Sequence, residues 1–119
     1  MVLIIDDEPI VLESIGLMLK CDDCSSLEYN DTKEAIEFYK KNSKGICVVI
    51  IDICMPDMNG KECYDILKEI NPNIKCIITT GHNAIEKKEE LGIDAPFLQK
   101  PFGIDDLKKA IHLATRKVV

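Results

Sequence analysis

The sequence predicts an α/β fold: an open, doubly wound sheet of five parallel strands in the order 2-1-3-4-5, covered by helices on both faces. Three observations predict it. Short apolar runs alternate along the whole chain with segments whose apolar residues recur at helical spacing. The strongest runs are continuously apolar, as strands buried on both faces are. Parallel neighbours also need crossover connections, and right-handed crossovers place helices on both sides of the sheet. A closed barrel would need about eight such units, more than 119 residues supply.

Val2 to Ile5 is the first strand and ends at Asp6. From Pro9, whose missing N–H costs little in a first helical turn, Val11, Ile15, Met18 and Leu19 recur at helical spacing. Ser25 to Tyr29 suits a modest second strand. Asp31 or Thr32 then caps a helix carrying Ala35, Ile36 and Tyr39 toward the core. Ile46 to Ile51, the most hydrophobic stretch and rich in β-branched residues, marks the central strand and ends at Asp52. After the turn-rich Met55-Pro56-Asp57-Met58-Asn59-Gly60, a third helix carries Cys63, Ile66, Leu67 and Ile70 on one stripe, and Asn71-Pro72 stops it. Ile74 to Thr79 is the fourth strand, followed at once by Thr80. Ala84 to Leu91 is a short, mostly charged helix closed by Gly92. With only Ile85 and Leu91 as apolar anchors, it should be the least stable of the helices. Phe97 and Leu98 make a short fifth strand, and Leu107, Ala110, Ile111 and Ala114 give a last amphipathic helix.

The composition is that of a folding domain, 46% hydrophobic and 30% charged, and the length fits one core. A net charge of -6 is the wrong sign for a nucleic-acid clamp or an anionic membrane surface. No apolar run approaches the roughly 18 residues of a membrane span, and Met1 to Ile5 meets acids at once instead of continuing as a signal sequence. A soluble, cytoplasmic protein is the expectation. The six cysteines read as reduced thiols. Cys47 and Cys76 lie inside strand-like runs and Cys63 on a helix stripe, where a thiol packs as a small hydrophobe. Cys21-Asp22-Asp23-Cys24 is a lone pair without a second pair at zinc spacing.

Polar residues gather at strand ends. Asp6 and Asp7 follow strand one, Asp52 follows strand three, Thr80 follows strand four, and Lys100 lies just past strand five. In an open parallel sheet the carboxyl ends share one edge, and the crevice where the winding reverses, between strands one and three, is the usual ligand site. Carboxylates packed there repel one another, and a hard divalent cation such as Mg²⁺ relieves this with carboxylates, carbonyls and waters as ligands. One carboxylate, Asp52 above all, can then attack a phosphoryl group. The Lys100 ammonium and the Thr80 hydroxyl can pair with the phosphoryl oxygens. Singly, each of these residues reads better as a helix cap or a solvated loop side chain. Their convergence at one crevice favours a site.

The sequence resembles the receiver domains of bacterial two-component response regulators. The residues that carry the resemblance are Asp6-Asp7 after Val2-Leu3-Ile4-Ile5, Asp52 within the stretch Ile50 to Gly60, Thr80-Gly81, and Lys100-Pro101-Phe102. It covers nearly the whole chain and implies a single flavodoxin-like receiver domain over residues 1–119. It implies that Asp52 accepts a phosphoryl group from the phosphohistidine of a sensor histidine kinase or histidine phosphotransfer protein. Mg²⁺, or Mn²⁺ in its place, would be held by Asp7, Asp52 and the Cys54 backbone carbonyl, with Asp6 acting largely through water. It further implies a cis bond at Lys100-Pro101 and a switch in which Thr80 and the aromatic Phe97 couple phosphorylation to the surface. Phe97 lacks a phenolic hydroxyl, so its rearrangement must be a change of burial. Cys54 and His82, two residues after Asp52 and Thr80, flank the site where family side chains set how fast the acyl phosphate hydrolyses.

The family docks outputs or dimerises through the face formed by the fourth helix, the fifth strand and the fifth helix, so the expected partners are an output protein or domain, or a second copy. The wording around Met55-Pro56 and Lys100-Pro101-Phe102 is similar to receivers attached to hybrid sensor kinases. Two rival functions differ at particular residues. An aspartate-nucleophile, Mg²⁺-dependent phosphatase normally carries a second Asp two residues after the first as acid/base, where this chain has Cys54. A non-phosphorylated pseudo-receiver usually lacks one of the site residues, all of which stand here. Turnover of external substrates is therefore not expected.

Overall fold

The computed structural model describes residues 1–55, 58–81 and 83–116. Its elements are β1 (Val2–Ile5), α1 (Pro9–Cys21), β2 (Ser26–Tyr29), α2 (Thr32–Asn42), a 3₁₀ turn (Ser43–Gly45), β3 (Val48–Asp52), α3 (Gly60–Ile70), β4 (Cys76–Thr80), α4 (Ala84–Leu91), β5 (Phe97–Gln99) and α5 (Ile104–Thr115). All strand pairs are parallel and the order is β2-β1-β3-β4-β5, as the sequence predicts.

Alternate strand residues feed two cores, one on each face. Leu3, Ile5, Val49, Ile51, Cys76 and Ile78 pack with Ala35, Ile36 and Tyr39 of α2 and Cys63, Tyr64 and Leu67 of α3. Val2, Ile4, Val48, Ile50 and Ile77 pack with Leu12, Ile15 and Leu19 of α1 and Leu107 and Ala110 of α5. Each of these layers removes mostly β-branched and aliphatic surface from water, the main drive for the fold. Asp31 caps α2, its Oδ1 accepting from the Glu34 N–H at 3.1 Å, while Thr32 is the first helical residue. Asn59 and Asn83 cap α3 and α4 in the same way.

Several boundaries depart from the sequence expectation. β3 begins at Val48 instead of Ile46, because its register with β1 starts at Val2 opposite Val48. Cys47 therefore precedes the paired strand and is exposed, not packed in the core, with its thiol on the Met1 carbonyl at 3.3 Å. β4 begins at Cys76 instead of Ile74, whose N–H closes the turn after α3 on the Asn71 carbonyl, and it extends to include Thr80. In α1, Leu12 is buried and joins the stripe, with Val11 and Met18 at its margin. Ile85 does not anchor α4: it is 73% exposed, no residue of the helix is buried, and Leu91 alone packs on the core. A helix so weakly held is the one most easily shifted.

Two cysteines are core residues as expected. Burial pushes the thiols of Cys63 and Cys76 up to about 12, whereas Cys21, Cys47 and Cys54 are exposed. At pH 8, iodoacetamide should therefore modify Cys21, Cys47 and Cys54 and spare Cys63 and Cys76 until the chain unfolds, because the thiolate is the nucleophile. Peptide mass spectrometry reads this directly, and early modification of Cys63 would show that the α3 core opens locally.

Candidate functional site

Asp6, the residue after β1, continues that strand's alternation and faces the same side as Val2 and Ile4, as Asp52 does with Val48 and Ile50. Both carboxylates are almost completely buried at the carboxyl edge of the two central strands. The hydrogen bonds to their Oδ1 atoms are local. Asp6 Oδ1 accepts from the Glu8 N–H at 2.9 Å, and Asp52 Oδ1 accepts from the Cys54 N–H at 3.2 Å. The remaining oxygens meet one cation: Lys100 Nζ lies 3.0 Å from Asp6 Oδ2 and 3.4 Å from Asp52 Oδ2. Residues 94 positions apart in sequence thus share a single ion-pair cluster.

The electrostatics follow from burial. Desolvation raises the Asp52 pKa from 3.8 to about 6, the nearby Asp6 charge adds to this, and the Cys54 N–H and Lys100 oppose it. The two carboxylates hold the Lys100 ammonium above its ordinary range despite its own desolvation.

Asp7 is half-buried beside Asp6, and carboxylate oxygens of Asp6, Asp7 and Glu8 lie within 4.8 Å of one another. Glu8 was not among the residues the sequence singled out, since a lone Glu before a helix reads as a first-turn charge. Thr80 is fully buried at the end of β4, and its carbonyl accepts the Lys100 N–H at 2.7 Å. The Lys100–Pro101 bond is cis. Phe97 stands opposite Ile78 in the β4–β5 pairing and is half-buried against the core on the α3 side. One contact went unforeseen: Gln99 Oε1 accepts the Ala84 N–H at 3.2 Å, tying β5 to the start of α4. Cys54 is exposed next to Asp52. His82, and Pro56 and Asp57 of the turn, lie outside the described residues.

Gly60, the first residue of α3, packs tightly against the chain just after β3. Its N–H donates to the Ile53 carbonyl at 2.9 Å, and a Cβ there would stand 2.6 Å from Ile53 Cα and 2.8 Å from the Asp52 carbonyl oxygen. Gly60→Ala should therefore cost roughly 1–3 kcal/mol, as forced overpacking does, measured as a lower urea midpoint.

Fold and rim together define an open-sheet α/β module whose polar cluster sits at the point where the winding reverses. The chain belongs to the response regulator receiver domain family, which it matches over residues 2–112. It is similar to a response regulator receiver domain protein from Clostridium thermocellum, with a TM-score of 0.84 and 34% identity over 96% of this chain and 92% of that one. The beryllofluoride-activated NtrC4 receiver domain dimer superposes with a TM-score of 0.85 at 27% identity, covering 96% and 94% of the two chains. The cell cycle response regulator CtrA of Brucella ovis is 31% identical over 118 residues, 98% of this chain and 50% of that protein. The chain spans between a third and somewhat over half of the length of the curated relatives it matches. Among the described residues, no helix is long and apolar enough to cross a membrane.

Proposed function

We propose that this chain is a single phosphoacceptor receiver domain spanning residues 1–119, in which Asp52 takes a phosphoryl group from the phosphohistidine of a sensor histidine kinase or a histidine phosphotransfer protein. The observation that carries the reading is the Lys100 ammonium held between the Asp6 and Asp52 carboxylates. A cation fixed there can neutralise charge on a phosphoryl group arriving at Asp52. Asp52 Oδ attacks phosphorus, a P–O bond forms as the P–N bond breaks, and the donor imidazole leaves. Burial keeps water from competing for the carboxylate, and ionisation above a pH of about 6 keeps it nucleophilic under neutral conditions.

The carboxylate oxygens of Asp6, Asp7 and Glu8, within 4.8 Å of one another, are the hard oxygen donors that suit a divalent cation such as Mg²⁺. Asp7, Asp52 and the Cys54 backbone carbonyl would hold Mg²⁺ or Mn²⁺, with Asp6 acting through water and Glu8 adding to the acidic rim. The cation supplies charge neutralisation for the phosphoryl oxygens when bound. Thr80 donates its hydroxyl to the phosphoryl group, and Phe97 changes its burial in response. The Gln99 contact to Ala84 and the sparse anchoring of α4 support a movement that passes to the face of α4, β5 and α5. Output proteins, or a second copy of the chain, would read that face. Cys54, two residues after Asp52, and His82, two residues after Thr80 in sequence, would set the lifetime of the acyl phosphate.

An apolar groove of about 230 Å³ lined by Ile10, Val11, Ile15, Met18 and Phe102 opens beside Lys100. The location would be cytoplasmic, with no direct contact to nucleic acid or membrane. The phosphatase alternative lacks its second acid at Cys54, so external phosphoesters should not be turned over. Incubation with acetyl phosphate and Mg²⁺ tests the reading: intact mass should rise by one phosphoryl group in the wild type and stay unchanged in Asp52→Asn. Equal labelling of the variant would remove Asp52 as acceptor.

A further inference from the structure

Among the described residues two buried hydroxyls, those of Thr32 and Thr79, find no hydrogen-bond partner, and that of Thr79 stands opposite Asp52 in the sheet. Thr79 is 1% exposed, and its Oγ1 finds no hydrogen-bond partner among the described residues. Buried hydroxyls are rarely left so, and each such case calls for an explanation. Its location is specific. Thr79 pairs in register with Asp52 on β3 and with Leu98 on β5. It continues the alternation of Ile77, so it faces the same side of the sheet as Asp6 and Asp52. Asp6, Asp52 and Thr79 thus form one row across β1, β3 and β4.

Lys100 enters this row from the far side. It follows β5, the edge strand beyond β4, yet its ammonium reaches Asp52 on β3 and Asp6 on β1. With strands about 4.8 Å apart, the side chain must cross the β4 position, and the β4 residue in the row is Thr79. The ammonium has three hydrogens and meets two carboxylate oxygens, while the hydroxyl has one hydrogen and two lone pairs to offer. A water placed among a hydroxyl, an ammonium and a carboxylate has the two to four polar partners that a buried water needs.

We propose that Thr79 is a positioning residue for phosphoryl transfer: its hydroxyl, through one ordered water, holds the Lys100 ammonium in line with Asp52. The inference rests on Asp52 being the phosphoacceptor. It places a polar requirement on a residue that otherwise reads as an ordinary strand position, and it separates Thr79 from its neighbour Thr80, whose proposed task is to meet the phosphoryl group itself.

The test uses the full chain as wild type, Thr79→Val, Thr79→Ser and Asp52→Asn. Labelling by acetyl phosphate with Mg²⁺ is followed by mass, and the side-chain ¹⁵N resonance of Lys100 is followed by NMR without phosphodonor. Thr79→Val keeps the branched shape without the hydroxyl and should label about tenfold more slowly, the loss expected for one hydrogen bond to a charged group. Thr79→Ser restores the hydroxyl and should label within about twofold of wild type on the same reasoning. The Lys100 resonance should move in Thr79→Val and not in Thr79→Ser. Thermal melts should show Thr79→Val still fully folded at the labelling temperature, so that slow labelling is not loss of fold. Three results overturn the proposal: Thr79→Val labelling at the wild-type rate, Thr79→Ser labelling as slowly as Thr79→Val, or an unmoved Lys100 resonance beside slow labelling. Undiminished labelling of Asp52→Asn is a different failure, that of the acceptor assignment itself.

Discussion

A Lys100→Met chain should be labelled by acetyl phosphate about 100-fold or more slowly than wild type, the size of loss seen when a preorganised charge-stabilising group is removed. Methionine preserves most of the stem that packs across the sheet, so the change isolates the ammonium. That ammonium lies between Asp6 Oδ2 and Asp52 Oδ2, and its side chain is only 18% exposed, so bulk water cannot replace its charge. The same substitution should destabilise the fold, because it leaves two buried carboxylates facing each other. Removing one partner from a fully buried ion pair costs about 3–5 kcal/mol, and the partial exposure of Lys100 places its loss nearer 2–3 kcal/mol. The penalty should be largest above a pH of about 6, where Asp52 is ionised, and should shrink toward pH 4 as protonation removes the repulsion. Urea melts at the two pH values measure this. A Lys100→Met chain that labels within about threefold of wild type would show that the ammonium contributes little beyond one ordinary hydrogen bond.

The parts of this site that were legible in the sequence are those fixed by where apolar runs stop. Asp6 and Asp52 follow directly on Ile5 and on the β3 run, and Lys100 follows β5 by one residue, so strand periodicity alone brings them to one edge. Register was not legible. The run Ile46 to Ile51 is uniformly apolar, and only the pairing of Val2 with Val48 decides that Cys47 lies outside the sheet. Thr79 sat inside a predicted strand and looked like any β-branched residue. Its significance comes from sharing a row with Asp52, which no one-dimensional period reveals. The contact of Gln99 with Ala84 and the nearness of Glu8 to Asp7 depend on where side chains turn at element ends, where propensity says least. Ile85 fails as an anchor for a different reason: spacing assigns an apolar residue to a helix stripe, but α4 buries no residue for that stripe to join.

Asp52→Asn should make the protein more stable at neutral pH in chelating buffer, even though it removes the proposed acceptor. Desolvation, and then the Asp6 charge, raise the Asp52 pKa from 3.8 to about 6. Between those values the folded chain binds more protons at this carboxyl than the unfolded chain does, so its contribution to stability falls as pH rises. The contribution is fully present below pH 3.8 and is lost as pH rises through about 6, a total of roughly 3 kcal/mol at most. Asparagine carries no such cost. The stability difference between variant and wild type should therefore rise with pH across this window and level off above it, reaching an increase in Tm of roughly 5–10 °C. Adding Mg²⁺ should narrow the gap, because a cation that binds the folded site stabilises in proportion to its affinity, and the variant offers one carboxylate fewer. Guanidinium or thermal melts at pH 4, 5, 6 and 7.5, with chelator and then with Mg²⁺, separate the two effects. A difference that is flat with pH would mean that Asp52 is no more strained by burial than an ordinary surface carboxylate. The expected slope instead identifies a carboxylate whose ionisation the fold opposes, at the position where a phosphoryl group and a cation would relieve the cost.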